Sequence, residues 1–323
     1  MRSPFYILIT LLFVSCDNEA VGGGSNENNS NPVVNASTFS DISAVVEDLK
    51  SEPQTFDLND VTTSSSVTGL GGTKINFDAN SFTDSDGNPV TSGVVIHLEE
   101  YLTLAEMMKN NIQTTSNGQL LVTGGSFNLA ANDINDNPLN VNPWSVSAEL
   151  PIFTDISGFE NQMSLFVGEV NTTDGTEQVN WVQALNNESW ISEEGFMNFY
   201  GLNLGLSNCD VLYNMAGEDG TQFSVYVENS TNPSNFMVWM FINDFPSVVN
   251  INQVTDDGQG VQTYVGSIPV GLNATLVVIG VDDDDYLKFG SLDISVEEDD
   301  VYTLTMEYGT SEALSLLIDQ LGG

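Results

Sequence analysis

The chain has 323 residues with lopsided charge: 45 Asp or Glu against 5 Lys or Arg, a formal net charge of −40. Nucleic-acid binding and peripheral attachment to an anionic leaflet both need clustered cations, so the composition excludes them. Apolar residues make up 41% of the chain, enough for about two domains with cores of their own.

The chain begins MRSPFYILITLLFVSC, one cation (Arg2) followed by a mostly apolar run from Phe5 to Val14, then Ser15 and Cys16. That run is far short of the roughly 20 residues a membrane-spanning helix needs, so residues 1–15 are expected to be a signal peptide. A small residue and a cysteine directly after the apolar run resemble the bacterial lipobox, which implies cleavage before Cys16 and lipid on its side chain. Phe13 departs from the commoner Leu of that motif, and ordinary signal-peptidase cleavage is the alternative. Gly, Ser and Asn dominate residues 17–35, so residues 16–38 are expected to form the lipidated cysteine and a flexible tether. With Cys16 consumed by lipid, Cys209 is left alone, no intramolecular disulfide can form, and Cys209 reads as a small buried hydrophobe.

Next along the chain, Ile42, Val45, Val46 and Leu49 recur at helical spacing, and Ser40 is the expected N-cap. A first β-sandwich domain is expected over residues 39–155. Within it Val94, Ile96 and Leu98 alternate with Val95, His97 and Glu99, the period of a half-buried strand. Asp86-Gly-Asn-Pro89 and Asp136-Asn-Pro138 carry turn chemistry. A short helix, Leu104 to Lys109, opens with a capping box of Thr103 and Glu106. Residues 156–207 read as a central connecting region. A second β-sandwich domain is expected over residues 208–323, with Phe223, Val225 and Val227 alternating. There Phe236–Ile242 and Thr275–Ile279 are apolar on both faces, as in strands covered on both sides. Tyr302, Leu304, Met306 and Tyr308 are expected on one face of a last strand. A terminal helix follows from Ser311, with Leu314, Leu317, Ile318 and Leu321 in one stripe. The expected class is mainly β: two sandwich-like domains with a few short helices.

Gly71-Gly-Thr-Lys-Ile75, Phe77, Phe82, Asp86-Gly-Asn-Pro-Val90, Gly93-Val-Val-Ile96 and Leu98-Glu99 together resemble a β-sandwich module of Bacteroidota lipoproteins. That module is itself similar to one shared by netrin receptors and zonula-occludens proteins. Thr114-Thr-Ser-Asn-Gly118, Leu120-Leu121 and Thr123-Gly-Gly125 continue the resemblance. Leu202-x-Leu-x-Leu-x-Asn-Cys-Asp210 and Ile268-Pro-Val-Gly271 extend it to later parts of such lipoproteins. The residues are turn glycines and core positions, so the resemblance implies a fold and a non-catalytic cell-envelope lipoprotein, without catalytic residues.

The residues offer little chemistry. His97 is the single histidine and sits mid-strand, where a solvated side chain is the plain reading. No zinc spacing, nucleophile elbow or phosphate loop appears. Gly69-Leu-Gly-Gly72 precedes a strand instead of opening a helix, and a carboxylate pair for sugar hydrolysis cannot be picked out among 45 acids. Calcium is the better-motivated ion, because hard cations take loop carboxylates and carbonyls. Asp84/Asp86/Asn88, Asp133/Asn135/Asn137 and Asp256/Asp257 are candidates that also read as solvated turns. The run Asp282, Asp283, Asp284, Asp285 is the preferred weak calcium site, since four adjacent charges repel one another. Trp181 and Trp190 are candidate glycan-stacking residues. The expectation is a lipid-anchored outer-membrane protein facing the cell exterior. Asp17 and Glu19, just after Cys16, resemble an acidic stretch that directs some such lipoproteins outward. Its role would be non-catalytic binding or scaffolding, with an envelope protein or a glycan as partner and a carboxylate-based hydrolase as the remaining alternative.

Overall fold

The computed structural model describes residues 35–323 apart from 174–175, 186–187 and 193–194. The expected signal peptide, Cys16, Asp17, Glu19 and most of the expected tether lie outside the described residues. The tether was expected to run through residue 38, yet Ser37 and Phe39 are already held. Ser37 donates to the Gly309 carbonyl (3.1 Å) and accepts from Leu287 N (2.8 Å), and Phe39 N donates to the Asp285 carbonyl (2.8 Å).

The first half carries α1 (Ile42–Leu49), β1 (Gln54–Leu58), β2 (Ser65–Thr68), β3 (Lys74–Phe77), β4 (Val94–Tyr101), α2 (Leu104–Lys109) and β5 (Gln119–Asp133). It continues with β6 (Val146–Pro151), β7 (Ser164–Thr173), β8 (Thr176–Gln183), β9 (Glu188–Ile191), β10 (Phe196–Tyr200) and β11 (Gly205–Leu212). The second half carries β12 (Ser224–Val227), β13 (Phe236–Ile242), β14 (Ser247–Ile251), β15 (Asn273–Val281), β16 (Leu287–Ser295), β17 (Val301–Leu304) and α3 (Ser311–Gly322).

The chain is mainly β. One sheet runs β1-β4-β5-β11-β7-β8 and faces a second, β9-β10-β6-β3-β2. Ile96, Leu98, Phe127, Leu129 and Leu165 from the first meet Ile75, Phe77, Ala148, Leu150 and Phe199 from the second in one apolar core. The alternation along β4 explains why: Val94, Ile96 and Leu98 are buried while Val95, His97 and Glu99 are half-buried. In the second half, residues 253–254, residues 261–262, β12 and β17 form one sheet, and β14-β13-β15-β16 with residues 307–308 form its partner. Val225, Val227 and Leu304 pack there on Val238, Met240, Leu276 and Val278.

Residues 156–207 do more than connect. They supply β7 and β8 to the first sheet and β9 and β10 to the second, and β11, which a border at 208 divides, pairs with both β5 and β7. Hydrogen bonding across the sheet, invisible in local composition, puts these strands in the first sandwich.

The helices join the halves. Leu104, Met107 and Met108 of α2, Val45 of α1, and Leu314 and Ile318 of α3 share one cluster with Leu121, Phe166 and Trp181 of the first sheet and Trp239, Phe241, Val277 and Ile279 of the second half. That explains why β13 and β15 are apolar on both faces: one face meets β12 and β17, the other the helices. Lys109 of α2 bonds Asp319 of α3 at 2.6 Å. The capping box forms as expected, with Thr103 Oγ1 accepting from Glu106 N (3.2 Å) and Glu106 Oε2 accepting from Thr103 N (3.0 Å). The cap of α1, in contrast, is Asp41 and not Ser40. Its carboxylate accepts from Ala44 N at 3.0 Å, where it also meets the positive end of the helix dipole.

The last strand splits in two. Residues 301–304 run parallel to β12, whereas residues 307–308 pair with β16 in the facing sheet. Residues 305–306 cross between the sheets against Gly290, where an added Cβ would lie 2.1 Å from the Thr305 carbonyl oxygen. Only glycine admits that approach.

Candidate functional site

In the acidic turns at Asp84, Asp133 and Asp282 the leading carboxylate is already engaged. Asp84 Oδ1 accepts from Asp86 N (3.0 Å) and Asn88 N (2.8 Å), and Asn88 Nδ2 reaches Asp84 Oδ2 at 3.0 Å. Asp133 repeats this with Asn135 N (2.8 Å), Asn137 N (2.9 Å) and Asn137 Nδ2. Hydrogen bonds from Asn88 and Asn137 hold these two carboxyls below the usual range. Asp282 makes the same turn, accepting from Asp284 N (3.1 Å) and Tyr286 N (3.0 Å), while Asp285 takes the left-handed conformation at φ 66°. The expected calcium site at Asp282–Asp285 is therefore a self-capped turn. Among the described residues no group of three or more His, Cys, Asp or Glu gathers as a metal would need.

The glycine turn at 69–72 cradles an anion supplied by the chain itself. Gly71 N and Thr73 N each donate to the Glu100 carboxylate at 2.8 Å, and Gln54 Nε2 adds a third bond at 2.8 Å. Gln54, Glu100 and Gly71 line a groove beside α1, α2 and α3, whose remaining charged rim includes Asp48, Glu52, Glu99 and Lys109.

The two tryptophans do not form a platform. Trp181 is fully buried among the helices, and its indole N–H donates to the Gln113 carbonyl at 2.6 Å. The reason is its place on β8, whose face with Val179 closes over α2. Trp190 is exposed, but it belongs to β9 in the other sheet, so the two share no surface.

The structure assembles a cleft elsewhere, where the two halves meet. It encloses about 730 Å³, within the range of small-ligand sites. The first half contributes Gln113, Asn117, Gly118, Gln178 and Asn180, and the second half contributes Asn250, Asn252, Gln262 and Tyr264. Buried Leu120, Val179, Val249, Ile251 and Ile268 also line it as an apolar base.

Several contacts hold this cleft in shape. Thr114 N donates to the Val248 carbonyl (2.8 Å), and Val248 N donates back to Thr114 Oγ1 (2.8 Å), stitching β14 to the first half. Asn117 N donates to Asn180 Oδ1 at 2.7 Å, which pins the 116–118 turn onto β8. Gln113 Nε2 donates to the Val179 carbonyl at 3.1 Å. On the other wall Ser267 Oγ donates to the Tyr264 carbonyl (2.8 Å), and Gln222 Nε2 donates to the Thr263 carbonyl (2.6 Å). The half-exposed Tyr264 ring lies against Gly118, where a Cβ would come within 3.3 Å of it and where φ is +80°. Glycine meets both demands.

With the frame held this way, the side-chain amides of Gln178, Asn250, Asn252 and Gln262 make no hydrogen bond among the described residues and remain open to a ligand. Glu169 is the lone charged side chain of the lining among the described residues. Among the described residues no cation approaches, because Lys50, Lys74 and Lys109 pair with Glu47, Glu149 and Asp319, and Lys288 sits 4.8 Å over the Tyr308 ring. His97 lies outside the cleft, on β4 opposite Ala130.

The sequence reading missed this site, although a signal existed. Gln178 and Asn180, and again Asn250 and Asn252, stand at i and i+2, which places amides on one face of each segment.

A second buried polar group sits in the first sheet. Asp210 is fully buried beside a register shift between β11 and β5, accepts from Asn208 Nδ2 at 2.6 Å, and leaves Oδ1 without a partner. Burial pushes its carboxyl well above the usual range, and the Thr123 hydroxyl donates to Asn208 Oδ1 at 3.1 Å instead of to the acid. Its neighbour Cys209 is buried, its thiol pushed up first by burial and then by the Asp210 charge.

Comparison of this chain with models of known protein families gives no match, and neither does comparison with curated proteins.

Proposed function

We propose that this chain is a non-catalytic binding module of the cell envelope, held to the outer membrane through lipid on Cys16 and facing the exterior. The observation that carries the binding role is the inter-half cleft, whose preset frame leaves four amides without a hydrogen bond among the described residues. Amides of this kind both donate and accept, which suits recognition. The anchor rests on the sequence: a short apolar run, Ser15-Cys16, and a polar tether behind it. A lipid-modified cysteine carries the membrane affinity, so the absence of basic residues around it is no obstacle. The acidic surface keeps a tethered domain soluble and apart from like-charged neighbours.

Two measurements on intact cells test this reading. Cys16→Ser should move the protein from the membrane fraction to the soluble fraction; continued membrane retention refutes the anchor. Crosslinking of the wild-type protein should recover a partner that an Asn250→Ala/Gln262→Ala variant loses. Recovery unchanged by that variant refutes the cleft as the binding surface.

A further inference from the structure

We infer that the cleft between the two halves recognises a neutral glycan, with a sugar ring laid against Tyr264 and its hydroxyls on Gln178, Asn250, Asn252 and Gln262. This rests on the reading of the cleft as the binding surface and names its ligand class. The lining selects by charge first. Among the described residues no lysine or arginine reaches it, and Glu169 repels carboxylates, phosphates and sulfates. It selects by hydrogen bonding second. A carboxamide presents two donors and an acceptor on one flat group, and a pair of vicinal hydroxyls presents the complementary set. Among the described residues four such amides are left open on the cleft wall while their neighbours Gln113 and Asn180 are tied into the frame. Hydroxyls that replace water on preset amides cost little reorganisation, because the frame is already bonded.

The aromatic wall completes the match. Tyr264 is 52% exposed although the backbone on both sides of it is anchored, so a rigid ring face is held at the cleft. Apolar C–H faces of a pyranose stack on such a ring, and its hydroxyl rim stays free for the amides. An extended peptide is the competing ligand, since strand edges invite strand addition. The free edge of β14 is closed at Val248, however, where Thr114 takes both its N–H and its carbonyl.

The experiment is titration calorimetry on the full chain, purified in a detergent without a sugar headgroup. The probes are neutral tetrasaccharides of glucose, mannose, galactose and N-acetylglucosamine, a galacturonate tetrasaccharide, and an uncharged extended peptide. The expected result is saturable binding of at least one neutral tetrasaccharide, with affinity unchanged from low to high salt. The galacturonate probe should bind about ten-fold more weakly or not at all. Tyr264→Ala and Gln262→Ala should each weaken binding about ten-fold at unchanged melting temperature, while Trp190→Ala leaves it as in wild type. Failure of every neutral sugar overturns the inference, as does sugar binding that survives both cleft variants. If the peptide binds and the sugars do not, with the cleft variants still abolishing crosslinking on cells, the sugar class falls and the binding-module reading stands.

Discussion

Replacing Asp210 with Asn should make the protein more stable at neutral pH and change how its stability depends on pH. The carboxyl has no exposed surface and one hydrogen bond, from Asn208 Nδ2 at 2.6 Å, with Oδ1 unpartnered. Its folded pKa is raised, so the native state holds a proton that the unfolded chain releases above about pH 3.9. The stability this group contributes is complete below that unfolded value and is lost as pH rises toward the folded value. The slope is about 1.4 kcal/mol per pH unit within that window. Asn copies the neutral acid in shape and can keep the bond from Asn208, so at the acid end the substitution should cost less than ~1 kcal/mol. The advantage of Asp210→Asn over wild type should then grow with pH at the slope above and level off where Asp210 ionises in the folded state. Other carboxylates drop out when the two proteins are compared. Urea unfolding at a series of pH values, followed by the fluorescence of buried Trp181 and Trp239, measures the difference directly. Parallel stability curves for the two proteins from acid to neutral pH would falsify the claim that Asp210 is held protonated.

Further outcomes follow from the turns and joints. Asp84 and Asp133 have lowered folded pKa values set chiefly by Asn88 and Asn137, so their stabilisation is present above the unfolded carboxylate pKa and is lost as pH falls through the folded value. An Asp84→Asn/Asp133→Asn variant should therefore lose less melting temperature on acidification than wild type, and equal losses refute this. Gly118→Ala combines a left-handed backbone with a Cβ 3.3 Å from the Tyr264 ring, and denaturant unfolding should show it destabilised by roughly 1–2 kcal/mol. Thr103→Ala removes a capping-box acceptor and should cost about 1 kcal/mol in the same assay. Millimolar calcium at matched ionic strength should leave the melting temperature unchanged, because Asp282 already accepts two backbone N–H groups; a rise with calcium alone restores a site at Asp282–Asp285. Cys209 should resist thiol reagents in the native protein and react only on unfolding, as its burial and raised pKa require.

What the sequence determined by itself is local in origin. Period-two alternation located β4 and β12, all-apolar runs located β13 and β15, and the Thr103–Glu106 box located α2, because each signal is written in neighbouring residues. The matching turns at Asp84 and Asp133 were visible for the same reason. Tertiary structure decided what depends on partners far along the chain. Trp181 and Trp190 look alike in sequence, yet one is sealed against α2 and the other stands on an edge of the opposite sheet. The segment 156–207 reads as a connector until its strands find β5 and β6, and residues 301–308 read as one strand until Gly290 lets the chain cross between sheets. The cleft is the clearest case. Its amides sit at i and i+2 in segments about seventy residues apart in the sequence, and they meet only through long-range contacts such as the Thr114–Val248 stitch. Loop-closure entropy makes such long-range contacts depend on the whole core and not on any local motif, which is why composition could announce an acidic protein but not the cleft.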